Sequence, residues 1–321
     1  MNTKRGDGVV DIVSNEVVGW NSSAVIEAVE FACGEPGVVV AIAHQQGLLA
    51  TGGDASMVVD VLAIEQGVVA ILVGIAQEKG FLEVWDHLNH HLAPEWTQLS
   101  PWDEAKLSIE TVLTMTTGMD DSLLLKGDIN SSWRVNHVAH GYLKDLLETA
   151  TGLSLTDISR AWLFEPLGMT DTRWFSRQQS LPNGTVISGL MTNANDLAKF
   201  GQMLLQRGRL AEQSVLVDAH YLDDMLRPGS KENPAWGWLW WVNNESHFML
   251  PESMTSVSGV PVPAAPADMY MTRGGNGSVL CIAPSLDIAV AVTATGSMPM
   301  SQSLEIENEF WRRLLAAAAR A

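Results

Sequence analysis

Val61-Leu62-Ala63-Ile64-Glu65-Gln66-Gly67-Val68-Val69-Ala70-Ile71-Leu72-Val73-Gly74-Ile75-Ala76 is the stretch on which the reading of the fold turns. Apolar residues recur at helical spacing through Val68, Ile71, Leu72 and Ile75, and Gly80 after Lys79 supplies a C-terminal stop. The run from Val59 to Ala76 comes nearest to the ~18 apolar residues of a membrane span. Asp60, Glu65 and Gln66 interrupt it, so a buried helix is expected and no membrane span.

Upstream, Asn21 or Ser22 can cap a helix running to about Cys33, and Gly34-Glu35-Pro36-Gly37 breaks it. Val38–Ala43 and Leu48–Thr51, separated by Gln45-Gln46-Gly47, read as a β-hairpin. Downstream, residues 81–231 read mostly as helices and loops, with amphipathic helices over Leu143–Thr149 and Leu197–Leu205. From Trp236 the pattern turns back to strands. Trp236–Val242 is expected as one, with Trp236, Trp238 and Trp240 on one face and Trp241 on the other. Val279–Ala283 and Ile288–Thr293 flank the turn Pro284-Ser285-Leu286-Asp287, and a last helix covers about Ser301 to Ala319. Strands at both ends with helices between imply one antiparallel sheet completed by both termini.

The chain has 321 residues, 46% of them apolar, long enough for one large core or two subdomains. A formal charge of −18 argues against nucleic acid and against an anionic membrane surface, both of which call for basic residues. Lys4 and Arg5 are followed by no apolar core, so Met1 to Trp20 does not read as a secretory signal. A cytoplasmic location is expected, or a periplasmic one for a mature form whose leader was removed. Cys33 and Cys281 lie in apolar segments and read as buried free thiols.

Four further stretches resemble one family in its order and spacing. They are Pro94-Glu95-Trp96, Ile109-Glu110-Thr111-Val112-Leu113-Thr114-Met115-Thr116-Thr117-Gly118-Met119, Phe164-Glu165-Pro166-Leu167-Gly168-Met169-Thr170-Asp171-Thr172, and Ser188-Gly189-Leu190 through Asp196-Leu197-Ala198-Lys199-Phe200-Gly201. Together with the opening helix they look like the serine β-lactamase and penicillin-binding-protein family, in the branch of class C β-lactamases, carboxylesterases and 6-aminohexanoate-dimer hydrolases. The resemblance implies an α/β (α+β) fold. Residues 1–80 and 232–321 would form a sheet lobe flanked by terminal helices, residues 81–231 a helical lobe, and the cleft would lie between them.

The family's chemistry needs a Ser-x-x-Lys pair at the start of that helix, a Tyr-containing element and a Lys/His-Thr-Gly strand. The first falls on Ala63 and Gln66, and no Ser-x-x-Lys or Thr-x-x-Lys precedes any of the seven lysines. The second falls on Val135-Asn136-His137, with Val135 at the Tyr place and Trp133 and Tyr142 nearby. The third reads Arg273-Gly274-Gly275. Two functions follow. In one, the cleft binds a small ligand with a carboxylate or amide group and does not hydrolyse it. In the other, Glu65 and His137 act as a new acid–base set around Arg273. Glu65 is one residue short of the Lys place, about 100° round the helix, which would turn it from the cleft. His87, His90 and His91 read as a solvated helix face rather than a metal site, Asp120-Asp121 as a loop or cap, and no cofactor is expected. The oligomeric state is left open.

Overall fold

The structure is a computed structural model describing residues 10–12, 20–211 and 214–318. Lys4, Arg5 and Ala319, on which parts of the sequence reading fall, lie outside them. In chain order the main elements begin with β1 (Val10–Ile12), α1 (Ser22–Ala32), β2 (Val38–His44), β3 (Gly47–Gly52), β4 (Val59–Asp60) and α2 (Ile64–Glu78). Then come α3 (His137–Thr151), β5 (Arg173–Ser180), β6 (Val186–Thr192), α4 (Ala194–Leu205) and β7 (Trp241–Val242). The chain closes with β8 (Tyr270–Arg273), β9 (Val279–Ala283), β10 (Ile288–Ala294) and α5 (Met300–Ala318).

The expected sheet is present as seven antiparallel strands in the order β1-β3-β2-β10-β9-β8-β7. Its centre joins the two ends of the chain, with β2 and β10 paired from Ile288 opposite His44 to Ala294 opposite Val38. Helices cover both faces, which is why β9 and β10 are apolar at successive positions rather than at alternate ones. Cys281 and Val290 face α5, while Leu280, Ile282 and Ala289 meet Gly201 of α4. A Cβ on Gly201 would come within 2.6 Å of the Ala289 side chain, so this glycine sets how closely α4 lies on the sheet. Helix α4 falls in the span expected to form the helical lobe. It packs instead on the sheet, because its amphipathic face matches the side of β9 and β10 away from α5.

A second antiparallel sheet, β4-β6-β5, was not legible in the sequence. Its outer strand is polar and mostly exposed, so no alternation announces it. The Trp-rich stretch also departs from expectation. Gly237 N–H donates to Trp240 O at 2.9 Å, and Leu239 takes φ +61°, so 237–240 is a tight turn and only Trp241–Val242 is strand. Trp236 and Trp241 therefore face one another across the turn, while Trp238 and Trp240 pack elsewhere in the core. Tyr142 lies within α3 and packs on Trp96. Cys33 and Cys281 are both free. Among the described residues no helix is long and apolar enough to cross a membrane.

Candidate functional site

The start of α2 is held by an unusual local geometry. Leu62 adopts φ +49°, a left-handed conformation that costs a branched side chain energy, and its N–H donates to Asp60 Oδ1 at 3.0 Å. Arg177 grips the same carboxylate with both terminal nitrogens, at 2.6 and 2.9 Å. The glycine turn after β8 is laced to this segment. Asn276 Nδ2 donates to Asp60 O at 3.0 Å, and a Cβ on Gly274 would sit 2.4 Å from Val61 O, so the two backbones meet only because residue 274 is glycine. Ala63, Gln66, Gly274 and Gly275 consequently line one cleft of about 410 Å³. Among the described residues the N–H groups of Ala63 and Gly275 have no acceptor.

Gln66 is 6% exposed, lines this cleft, and its carboxamide makes no hydrogen bond with any described residue. Its amide oxygen and nitrogen open on the cleft rather than being sealed in the core, so they meet whatever occupies it. Val135 and His137 also line the cleft, and His137 Nδ1 lies 3.3 Å from Asp121 Oδ2. That hydrogen bond holds the imidazole pKa above its ordinary value. Trp236 and Trp241 form one wall, and Glu252, Met298, Met300 and Ser303 complete it.

Asn136, Arg273 and Glu65 find their polar partners inside the protein. Asn136 is buried away from the cleft. Its Oδ1 caps α3 by accepting from Ala139 N–H at 2.8 Å, and its Nδ2 donates to Met119 O and Asp120 O, which uses the whole amide. Arg273 reaches the cleft wall, but its guanidinium donates to Glu307 and, at 2.7 Å, to Ser303 Oγ on α5. Glu307 also accepts from Cys281 Sγ at 3.1 Å, so the charge of Arg273 is answered inside the protein. Glu65 turns to the other side of α2, where its carboxylate lies 2.9 Å from Lys144 Nζ. Burial raises the Glu65 pKa against the pull of Lys144, and burial lowers that of Lys144. Of the two acid–base candidates, only His137 faces the cleft.

Asp121, Glu252 and the Met298–Ser303 segment were not assigned to the site from sequence. Asp120-Asp121 reads as a loop or cap, and both residues accept backbone N–H groups: Asp120 those of Ser122 and Leu124, and Asp121 that of His137 at 2.7 Å, while Asp121 also meets the His137 ring at the cleft. Glu252 lies in a loop with no pattern to mark it. Among the described residues no group of three His, Cys, Asp or Glu side chains stands where it could hold a metal ion; the rings of His87, His90 and His91 touch in series, and His91 Nε2 lies 3.3 Å from Asp86 Oδ2.

A seven-stranded antiparallel sheet, terminal helices on one face, and a cleft at the start of a buried helix beside a glycine turn define the fold of the serine β-lactamases and penicillin-binding proteins. The family profile described as Beta-lactamase matches residues 23–309, and the chain belongs to that family. Solved structures agree on the fold. A β-lactamase from Mycobacterium bovis is 18% identical with a TM-score of 0.69, covering 92% of this chain and 99% of its own. Simvastatin synthase from Aspergillus terreus is 13% identical with a TM-score of 0.69, covering 94% and 98%. A D-stereospecific amidohydrolase from Streptomyces sp. is 16% identical with a TM-score of 0.61, covering 89% and 97%. No curated protein matches the chain in sequence.

Proposed function

We propose that this chain is a non-hydrolytic member of its family, which binds a small acyl- or amide-like ligand in the cleft. The observation that carries the reading is Gln66. A largely enclosed side chain whose carboxamide opens on the cleft, with donor and acceptor both unused, is complementary to a ligand that presents a carbonyl and an N–H or O–H. The free N–H groups of Ala63 and Gly275 offer donors to the same carbonyl oxygen, and neither depends on a side chain. Ala63 provides no nucleophile and Gln66 no titratable amine, so bound ligand would leave unchanged. An amide fits better than a carboxylate, because Glu307 already answers the charge of Arg273. A fluorescent penicillin and a fluorophosphonate probe should both leave the protein unmodified by intact mass. Stoichiometric labelling would overturn the reading, and the labelled residue would name the nucleophile.

One observation favours a second reading. His137 and Asp121 form an imidazole–carboxylate pair at the cleft wall, the arrangement of a base and its orienting group. In a repurposed enzyme His137 would activate water. Because Asp121 raises its pKa, the free base would gain population only as pH climbs past the ordinary histidine range. Hydrolysis of an activated ester that rises with pH and vanishes in His137→Ala would support this reading over the first.

A further inference from the structure

Resting on the reading that the cleft binds a small amide or ester, we propose that its ligand also carries an ammonium group, seated against Trp236 and Trp241 and facing Asp121 and Glu252. The indoles of Trp236 and Trp241 stand at 87° with centroids 4.9 Å apart, which makes an aromatic corner on the cleft wall. Each is only 4% exposed, and Trp133 packs edge-on against both, at 5.8 and 6.1 Å. The corner is thus fixed before any ligand arrives, and the part of each indole that lines the cleft gives a cation an aromatic surface to rest against.

The charge inventory points the same way. Arg273 and Glu307 cancel one another on the α5 side. Asp121 shares its carboxylate with His137, and Glu252 makes no ion pair, accepting only Met300 N–H at 3.1 Å. What remains is negative, in a chain whose formal charge is −18, so the field at the cleft mouth draws cations and repels carboxylates. Met298 and Met300 add polarisable sulfur to the wall and bring no charge. Gln66 would hold the amide end of such a ligand, and the aromatic corner its ammonium end.

Three amides of one chain length, the first two isosteric, test this by titration of tryptophan fluorescence and by calorimetry on the full chain. They are γ-trimethylammoniobutyramide, its carbon analogue with tert-butyl in place of trimethylammonium, and glutaramate with a carboxylate there. The ammonium amide should bind at least about tenfold more tightly than the tert-butyl amide, as a partly desolvated cation–aromatic contact with nearby carboxylates implies. Glutaramate should bind most weakly. Asp121→Asn with Glu252→Gln, which keeps both acceptors for the local N–H groups, should narrow the gap between ammonium and tert-butyl amides several-fold. Both sites are exposed, so the variant is expected to fold, and its thermal melt checks this. If the tert-butyl amide or glutaramate binds as tightly as the ammonium amide while Gln66→Leu still weakens it, the ammonium inference fails and the amide-binding reading stands. If none of the three binds at up to about 50 mM, well above fragment affinities near 1 mM, both fail.

Discussion

The first turn of α2 presents two chemistries on adjacent faces, and α3 repeats the division. Toward the cleft stand Ala63 and Gln66, and from α3 His137, with polar groups left open. Toward the interior stand Glu65, paired with Lys144 of α3, and His140, buried with its Nε2 unpartnered. Lys144 also donates to Ser188 O at 2.6 Å and lies 5.0 Å from the Trp174 ring, which ties the rear face to the second sheet. The rear face therefore uses its charges to hold the helices together, while the front face carries hydrogen-bonding groups that find no partner among the described residues. The two faces can be broken separately.

The largest effect is expected from rebuilding the front. Ala63→Ser with Gln66→Lys restores a nucleophile and its nearest base, while Val135 still leaves the second proton-transfer group absent. Catalytic groups that act as a unit are strongly non-additive, and loss of one key member can cost on the order of 10⁶-fold in turnover. The double variant should show at most slow acylation of an activated p-nitrophenyl ester, and the triple variant adding Val135→Tyr should be measurably faster. A double variant as fast as a working esterase would mean an intact hydrolase site differing at two positions. It would end the non-hydrolytic reading.

Breaking the rear should cost stability rather than binding. Lys144→Met leaves Glu65 buried without its partner, and removing one member of a buried ion pair typically costs about 3–5 kcal/mol. The sign with pH follows from burial, which raises the Glu65 pKa. A raised carboxyl favours the folded state while protonated, below its ordinary range, and that benefit is lost as pH rises through the folded value. The variant should therefore be hurt more at pH 8 than at pH 5 in urea titrations. Glu65→Gln with Lys144→Met should recover most of the loss. A variant that melts like the parent at both pH values would mean the pair is not what joins α2 to α3.

Gln66→Leu separates the faces most cleanly. It should weaken cleft ligands about tenfold, the worth of roughly one good hydrogen bond to a buried group. The melting temperature should hold, because the carboxamide makes no hydrogen bond with any described residue. A fall of several degrees with unchanged binding would place Gln66 in the scaffold instead.

Most of the fold was legible because its core strands and helices carry their own period. The apolar runs of β2, β3, β9 and β10, and the spacing of Val68, Ile71, Leu72 and Ile75, fixed sheet and helix alike. The outer sheet was not, since a polar edge such as β5 has no buried face to pattern it. At the site, backbone positions transferred and side-chain directions did not. Ala63, Gln66, Val135, Gly274 and Gly275 reach the cleft because α2, the segment before α3 and the glycine turn place them there. Arg273 also reaches the cleft wall, but its charge is taken up by Glu307, distant in sequence, and Asn136 is drawn off by a helix cap. The roughly 100° step that separates Glu65 from Gln66 was readable, and it correctly turned Glu65 inward.

The smallest effect compares the two histidines of α3. Burial lowers the His140 pKa well below the ordinary value, helped by the nearby positive charges of Lys144 and His137. A depressed histidine stabilises the folded protein in its neutral form, above its unfolded pKa of about 6.5, and that contribution is lost progressively as pH falls below it. One such group can tilt stability by up to about 1.4 kcal/mol per pH unit. His137 has the opposite sign. Its pKa is raised by the hydrogen bond it donates to Asp121, so its contribution is present below about 6.5 and fades as pH rises through the folded value. The ring is exposed, which should hold that effect below about 0.5 kcal/mol. Between pH 7 and pH 5, His140→Gln should flatten the loss of stability on acidification, whatever it costs at pH 8. His137→Ala should leave that limb slightly steeper, since it removes a group that favours folding in acid. The slopes, rather than the absolute stabilities, carry the test, because either substitution can also disturb packing. Equal slopes for His140→Gln and parent would mean that the interior face of α3 takes up protons as readily as its cleft face, and the division of the two helices into a sealed side and an open one would fail at its core.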